Sequence, residues 1–231
     1  MTAIRAILPA VKPTRLDDEQ TSHYDSVYAA WADPISKFGG HANRFKFEPF
    51  VQETVRIIDY GCGAGYLLAG LEVPEKLGIE INAAARERAA ANGIQTVANT
   101  DEVPDDWADV IISNSVLEHV LRPYDELLRL RAKVRPGGRL VFVVPHEIRS
   151  RYATDDINQH LYTWSPASAG NLFGAAGFTV EHVDSIRHAW PPGYEKIRSV
   201  LGSRGFHGVA RMYGVVYRTR FIRVVALRPI E

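Results

Sequence analysis

The stretch Val55-Arg56-Ile57-Ile58-Asp59-Tyr60-Gly61-Cys62-Gly63-Ala64-Gly65-Tyr66 narrows the folds open to this chain more than any other part of it. A β-branched run ends in an acid, a glycine-dense turn follows, and an apolar, helix-like stretch continues through Leu67, Leu68 and Leu71. That order is a buried strand feeding a tight turn into a helix. It is the arrangement that seats a nucleotide-like ligand at the edge of a parallel sheet. Glycine serves such a turn because it takes backbone angles that a Cβ forbids, and because it lets a ligand approach the main chain.

The spacing selects the ligand. A dinucleotide fingerprint runs G-x-G-x-x-G. Here the glycines are Gly61, Gly63 and Gly65, with Asp59 two residues ahead of the first. A carboxylate in that place repels a pyrophosphate and suits a ligand with a positive end. The D-x-G-x-G-x-G run resembles the first motif of class I S-adenosylmethionine-dependent methyltransferases. A second run, Lys76-Leu77-Gly78-Ile79-Glu80-Ile81-Asn82, places an acid nineteen residues after Gly61. An acid there accepts hydrogen bonds from ribose hydroxyls. NAD enzymes share the feature, so Glu80 by itself also reads as a solvated carboxylate ahead of a helix N-terminus.

Further motifs extend the resemblance over Thr54 to Phe178. Ala108-Asp109-Val110-Ile111-Ile112-Ser113-Asn114 leading to Leu117-Glu118-His119 is similar to the family's fourth-strand motif, with alanine in place of the usual aromatic before Asp109. Leu130 to Pro145, with Pro136-Gly137-Gly138, matches the fifth-strand segment. His160-Leu161-Tyr162-Thr163-Trp164-Ser165-Pro166 and the later Ala175-Ala176-Gly177-Phe178 match a signature common in small-molecule and sugar O-methyltransferases. The resemblance implies S-adenosyl-L-methionine as cofactor. It implies a seat built on Asp59, Gly61, Cys62, Gly63 and Tyr66, with Glu80 and Ile81 at the second strand and Asn114 at the fourth. An adenine-contacting acid usually follows the third strand. Alignment puts Thr100 there and Asp101 next, and the Asp101 backbone N–H is a further candidate. The alternative is that Asp101, Glu102, Asp105 and Asp106 form an exposed acidic loop. For Cys62 the plain reading is a small residue that fits its turn.

The chain has 231 residues, of which 46% are hydrophobic, enough for one sizeable core, so a single domain over 1–231 is expected. Strands are expected at Thr54–Asp59, Lys76–Ile81, Gln95–Val97, Asp109–Ser113, Gly138–Pro145, Phe178–Arg187 and Arg220–Arg228, with helices between them. The expected fold is α/β: a Rossmann-like, seven-stranded, mostly parallel sheet with an antiparallel last strand and helices on both faces. Residues 1–52 read as an N-terminal helical lid, with Tyr24, Val27, Tyr28 and Trp31 at helical spacing and Tyr28 facing the cofactor. Residues 146–164 and 188–219 read as substrate-side insertions. Zero formal charge argues against a nucleic-acid partner, and the lone cysteine rules out an internal disulfide. No membrane-spanning run or signal peptide is legible, so a cytoplasmic location is expected.

Positioning an acceptor behind an electrophilic methyl group lowers a barrier by roughly 7–11 kcal/mol in favourable cases. A general base adds roughly 10²–10⁴-fold if the acceptor is a hydroxyl. His119, His146 and His160 are the candidate bases, because they follow strand ends where doubly wound sheets hold ligands. Glu118-His119 is similar to the E-x-x-E-H motif of metal-dependent RNA 2′-O-methyltransferases. Its first glutamate falls at Ser115 here; His146 or His160 could complete a site, but no metal is expected. Ile186 to Glu231 carries nine Lys or Arg and two acids, which fits either an anionic substrate or the solvated side of an edge strand. The expected substrate is a small-molecule or glycan hydroxyl, or an amine. The alternatives are an RNA or protein methyltransferase and a noncatalytic cofactor-binding module.

Overall fold

The computed structural model describes residues 29–147 and 158–230, with side chains from Ser36 onward. Seven strands form one sheet in the order β3-β2-β1-β4-β5-β7-β6. They are β1 (Arg56–Tyr60), β2 (Glu75–Ile79), β3 (Gln95–Val97), β4 (Ala108–Asn114), β5 (Val134–Pro145), β6 (Thr179–Arg187) and β7 (Arg220–Leu227). The pairs β1–β2, β1–β4, β2–β3 and β4–β5 are parallel, and β7 runs antiparallel to both β5 and β6. Six α-helices accompany them among the described residues: α1 (Ala29–Asn43), α2 (Tyr66–Ala69), α3 (Ala83–Ala91), α4 (Pro123–Lys133), α5 (Pro166–Ala175) and α6 (Tyr194–Val216).

The continuous apolar runs of β1, β4 and β5 follow from burial on both faces. Side chains alternate across a strand. Ile58, Ile111, Leu140 and Phe142 therefore pack with Leu127 and Leu130 of α4 and Phe173 of α5. Ile57, Val110, Ile112, Val141 and Val143 pack on the other side with Leu67 and Leu68 of α2, Ala89 of α3 and Phe47. The helix starts are chemical. The Asn82 side chain accepts the Ala85 N–H at 2.8 Å, Ser165 and Ser168 close a capping box, and Pro123 opens α4.

A third apolar cluster joins Phe38 and Ala42 of α1 to Phe206 and Ala210 of α6. The segment 188–219, expected as an insertion without assigned structure, is therefore mostly helix, broken in mid-course at Gly202, and it packs on the N-terminal helix. Gly40 lets α1 lie against the first turn of α2. A Cβ there would fall 2.6 Å from the Tyr66 carbonyl carbon and 2.8 Å from the Leu67 nitrogen. The end of the expected helical segment 1–52 is two 3₁₀ turns, Arg44–Lys46 and Glu48–Phe50.

One expectation is corrected. The arginines of β7 were read as lining the solvent side of an edge strand, but β7 lies between β5 and β6, and β6 is the edge. Arg223 is accordingly engaged. Its guanidinium makes a two-pronged bond to Asp184 at 2.9 and 2.8 Å, and its third nitrogen donates to the Lys46 carbonyl at 2.9 Å. This ties the 3₁₀ segment carrying Lys46 to the far side of the sheet.

Candidate active site

The two halves of the site sit at the C-terminal ends of the strands. In the first, β1 runs into the glycine turn. The N–H groups of Gly61 and Cys62 bond to the Ile79 carbonyl at 2.8 and 3.2 Å, so the turn is folded over the end of β2. Gly63 adopts φ +54, and nothing lies within 4 Å of where its Cβ would stand. The loop thus presents bare backbone to an open space. Gly61 lies against the Val116 side chain. The Cys62 thiol is buried, pushed up by that burial, and directed to the Gly63 carbonyl at 3.5 Å. That favours the reading of a small residue that fits. Tyr66 is half-buried at the start of α2.

Glu80 follows β2 directly. One carboxylate oxygen accepts the Gly63 N–H at 2.8 Å and the other accepts the Asn82 N–H at 2.9 Å. Its carboxyl is raised above the usual range by burial, against the pull of those N–H donors. The reading as a solvated carboxylate is therefore corrected. Each oxygen keeps a lone pair for a further donor such as a ribose hydroxyl. Asp59 is also buried, and its carboxyl is held well above the ordinary range, first by desolvation and then by Glu80. Two buried carboxyls beside an open backbone cradle fit a ligand with a positive end and a ribose. Ile81 projects into solvent next to Glu80, an apolar surface at the mouth of this cradle.

The third-strand position is less open than the sequence suggested. The Thr100 side chain is buried and donates to Glu126 of α4. The Asp101 N–H is taken by the Asn99 side chain at 3.0 Å, while Asp101 itself is exposed. The acidic-loop reading describes Asp101, Glu102, Asp105 and Asp106, all of which are exposed.

The second half gathers residues from distant segments. Asn114 ends β4, and its Oδ1 accepts from Lys46 Nζ at 3.0 Å. Lys46 is fully buried with its ammonium 4.1 Å from the centre of the Phe221 ring. Desolvation brings its pKa down to about 7, with Glu118 opposing and Arg223 assisting. After β4 the chain makes a 3₁₀ turn, Leu117–His119. Glu118 is 0% exposed, and among the described residues neither carboxylate oxygen has a hydrogen-bond partner. Burial, with Glu147 adding, pushes its carboxyl up to about 8. Its backbone carbonyl accepts the N–H groups of Leu161 and Tyr162 at 2.9 and 3.3 Å, and the Tyr162 hydroxyl donates to the Leu121 carbonyl at 2.8 Å. Those bonds dock the segment that carries His160 onto the turn that carries His119.

As a result the imidazoles of His119 and His160 stand edge to face, 4.8 Å between ring centres. Each Nε2 lies 4.0 Å from Glu118 Oε1. His160 Nδ1 meets Glu147 Oε1 at 2.9 Å. The structure therefore brings two of the three candidate histidines together. His146 stands apart from this cluster: its backbone N–H bonds to the Arg220 carbonyl at 3.0 Å, and its Nδ1 is buried without a hydrogen-bond partner among the described residues. Tyr24 and Tyr28, Tyr152 and the middle of the 146–164 segment lie outside the described residues.

The sequence missed Lys46, which belongs to no motif, and Glu147. It saw Glu118 only as part of a metal motif. One signal was available for Lys46: a lone lysine in Arg44-Phe45-Lys46-Phe47-Glu48, flanked by aromatics ahead of the first strand.

A doubly wound sheet with a glycine turn after β1 and a buried acid after β2 defines a nucleotide-cofactor-binding α/β protein. Within that class, the family model of the methyltransferase domain matches residues 22–183, and the chain belongs to this family. Its cofactor is S-adenosylmethionine, and it is a class I methyltransferase. Among curated proteins, the chain is 25% identical over 186 residues to the ubiquinone biosynthesis O-methyltransferase of Roseobacter denitrificans, covering 66% of this chain and 74% of that one. Among solved structures it is similar to the Haloferax volcanii methyltransferase in complex with its Trm112 activator. That match has TM-score 0.65 and 20% identity, and covers 88% of this chain and 98% of the other. It is also similar to Haemonchus contortus phosphoethanolamine N-methyltransferase 2 in complex with phosphomonomethylethanolamine and S-adenosylhomocysteine. There the TM-score is 0.59 at 12% identity, with 91% of this chain and 60% of that one covered. At these identities the structural likeness carries the fold alone. Among the described residues no helix is long and apolar enough to cross a membrane.

Proposed function

We propose that the protein methylates a hydroxyl of a small molecule or sugar, and that the acceptor's proton leaves through the cluster of Glu118, His119 and His160. The observation that carries this reading is the Glu118 carboxylate, fully buried and, among the described residues, without a hydrogen-bond partner, with two imidazole nitrogens 4.0 Å from one oxygen. Bound S-adenosylmethionine supplies an electrophilic methyl group on a positively charged sulfur. The chain must then seat the cofactor, align the acceptor, exclude water and move a proton. Asp59, the Gly61–Gly65 turn and Glu80 do the first. The Lys46–Asn114 bond fixes the amide at the end of β4 for the second.

For the proton, a neutral imidazole is the best-matched base near pH 7. His119 is preferred, being nearest β4 in the chain. Glu118, 4.0 Å from both imidazoles, stabilises the imidazolium when it is ionised. The similarity to an enzyme named for O-methylation is in keeping with a hydroxyl acceptor. The test is release of S-adenosylhomocysteine against a panel of phenols, glycans, amines and tRNA. Turnover with hydroxyl compounds is expected. Turnover confined to amines or tRNA would overturn the reading.

A further inference from the structure

We propose that Glu118, His119 and His160 together bind a divalent transition-metal ion, and that Glu147 holds His160 in the ligating tautomer. The proposal rests on the reading that these side chains line the acceptor site, and goes one step beyond it. The donor atoms of the three residues all lie within 4.8 Å of one another, with the two nitrogen–oxygen separations at 4.0 Å. A point equidistant from the corners of a triangle with sides of 4.0–4.8 Å lies about 2.3–2.8 Å from each, against roughly 2.0–2.2 Å for bonds from zinc to imidazole and carboxylate. A contraction of a few tenths of an ångström closes the site, which side-chain rotation supplies.

Three further facts point the same way. Glu118 is 0% exposed and, among the described residues, neither of its oxygens has a hydrogen-bond partner, although a buried carboxylate costs several kcal/mol unless a cation or donors meet it. The two imidazoles are aimed at one of those oxygens, and both are mostly buried, 14% and 15% exposed. Finally, His160 Nδ1 faces Glu147 Oε1 at 2.9 Å. With the proton on Nδ1 and donated to that carboxylate, the lone pair stands on Nε2, the nitrogen nearer Glu118. A carboxylate behind the histidine is the usual outer partner of a metal-ligating imidazole.

Ser115 leaves the motif one ligand short, and of the two histidines that could complete a site the fold brings in His160, from beyond β5. Two imidazoles and one carboxylate on one side of an ion suit Zn²⁺, Mn²⁺, Fe²⁺, Co²⁺ or Ni²⁺ better than Mg²⁺ or Ca²⁺, which prefer oxygen. Three protein donors leave coordination positions for a hydroxyl oxygen. A metal-bound hydroxyl loses its proton to water near neutral pH, because the ion stabilises the oxyanion left behind. In the loaded site His119 and His160 are ligands, and the ion takes over the acidifying task of the imidazole base.

The test needs no acceptor. Protein stripped with EDTA is titrated with Co²⁺, read by its visible absorption bands, and with Zn²⁺, read by calorimetry. One ion per chain is expected. His119→Ala and His160→Ala should each weaken binding by at least 100-fold, and Glu147→Gln by roughly 10–100-fold. His182→Ala, at an exposed histidine on β6, should change nothing. Retained cofactor affinity shows that each variant is folded. Absence of a one-to-one site, or equal affinity in wild type and both histidine variants, overturns the proposal. If the stripped protein turns over a hydroxyl acceptor at full rate, the metal is wrong and the methyl-transfer reading stands. If the ion binds through both histidines and no hydroxyl acceptor turns over, the metal stands and that reading falls.

Discussion

The proposed cofactor half and the proposed acceptor half of the site lie at the same end of one sheet and are built in opposite ways. The cofactor half is local and satisfied. Asp59, Gly63 and Glu80 sit within a few residues of strand ends, and the Glu80 carboxylate already bonds to two backbone N–H groups. The acceptor half is assembled from four separate segments bearing Lys46, Asn114, Glu118 with His119, and His160. At its centre is a carboxylate with no hydrogen-bond partner among the described residues. A satisfied, backbone-rich seat suits a ligand of fixed shape. Unpaired buried side chains store the groups that chemistry requires, at a cost in stability that the core must offset.

If that division is real, damage to one half should leave the other intact. The largest effect is expected in His119→Ala. Turnover should fall roughly 10²–10⁴-fold while cofactor affinity by calorimetry stays near that of wild type. Next comes the cofactor seat. Glu80→Ala removes charge-assisted bonds of about 1.5–3 kcal/mol each, so affinity for S-adenosylmethionine should drop by roughly 10–100-fold or more. Gly63→Val should lose it altogether, since it fills the open cradle and strains a backbone at φ +54. Circular dichroism should show both variants folded. Unchanged affinity in both would remove the cofactor half as described.

Lys46→Met tests the cost of the acceptor half. In the folded chain Lys46 titrates near 7 rather than near 10.5, with Glu118 and Arg223 as the charges that face it. Between those values the unfolded chain holds a proton that the folded chain has released, so this residue makes stability rise with pH across that window. Below pH 7 the full penalty for a buried ammonium is present. The methionine variant should therefore melt higher than wild type at pH 6, by a few degrees at roughly 2–4 °C per kcal/mol, and the gap should close toward pH 10. Its turnover should fall as Asn114 loses its partner. A gap that is constant from pH 6 to 10 would deny Lys46 its burial cost.

The smallest effect probes the border between the halves. Thr100→Val removes the hydroxyl that donates to Glu126 and should cost about 1 kcal/mol of stability, a melting shift of roughly 2–4 °C. Cofactor affinity should not move. A tenfold loss would return Thr100 to the adenine side, where the sequence placed it.

The comparison also explains what the sequence could reveal. The strand–turn–helix run at 55–66 and the acid at Glu80 are short-range patterns, so the sheet and its helices were legible from spacing, and the proposed cofactor seat was read from the same pattern. The position of β7 between β5 and β6 was not, because strand order depends on pairing across the sheet rather than on any local signal. Arg223 was misread for that reason. The approach of His160 to Glu118 was also hidden. It depends on two backbone bonds to the Glu118 carbonyl, and backbone donors leave no mark in residue identity. Lys46 was invisible because a buried lysine and a surface lysine share one letter, and only the packing of Phe221 and Asn114 around it separates them.

The central claim is that proton removal from a hydroxyl acceptor belongs to Glu118, His119 and His160 and to nothing in the cofactor half. The most direct measurement is the rate of S-adenosylhomocysteine release at saturating cofactor, with the best hydroxyl acceptor from the panel, in wild type, His119→Ala and His160→Ala. The account predicts a loss of two or more orders of magnitude in at least one histidine variant, with S-adenosylmethionine binding unchanged in both. Near-normal turnover in both variants would contradict it.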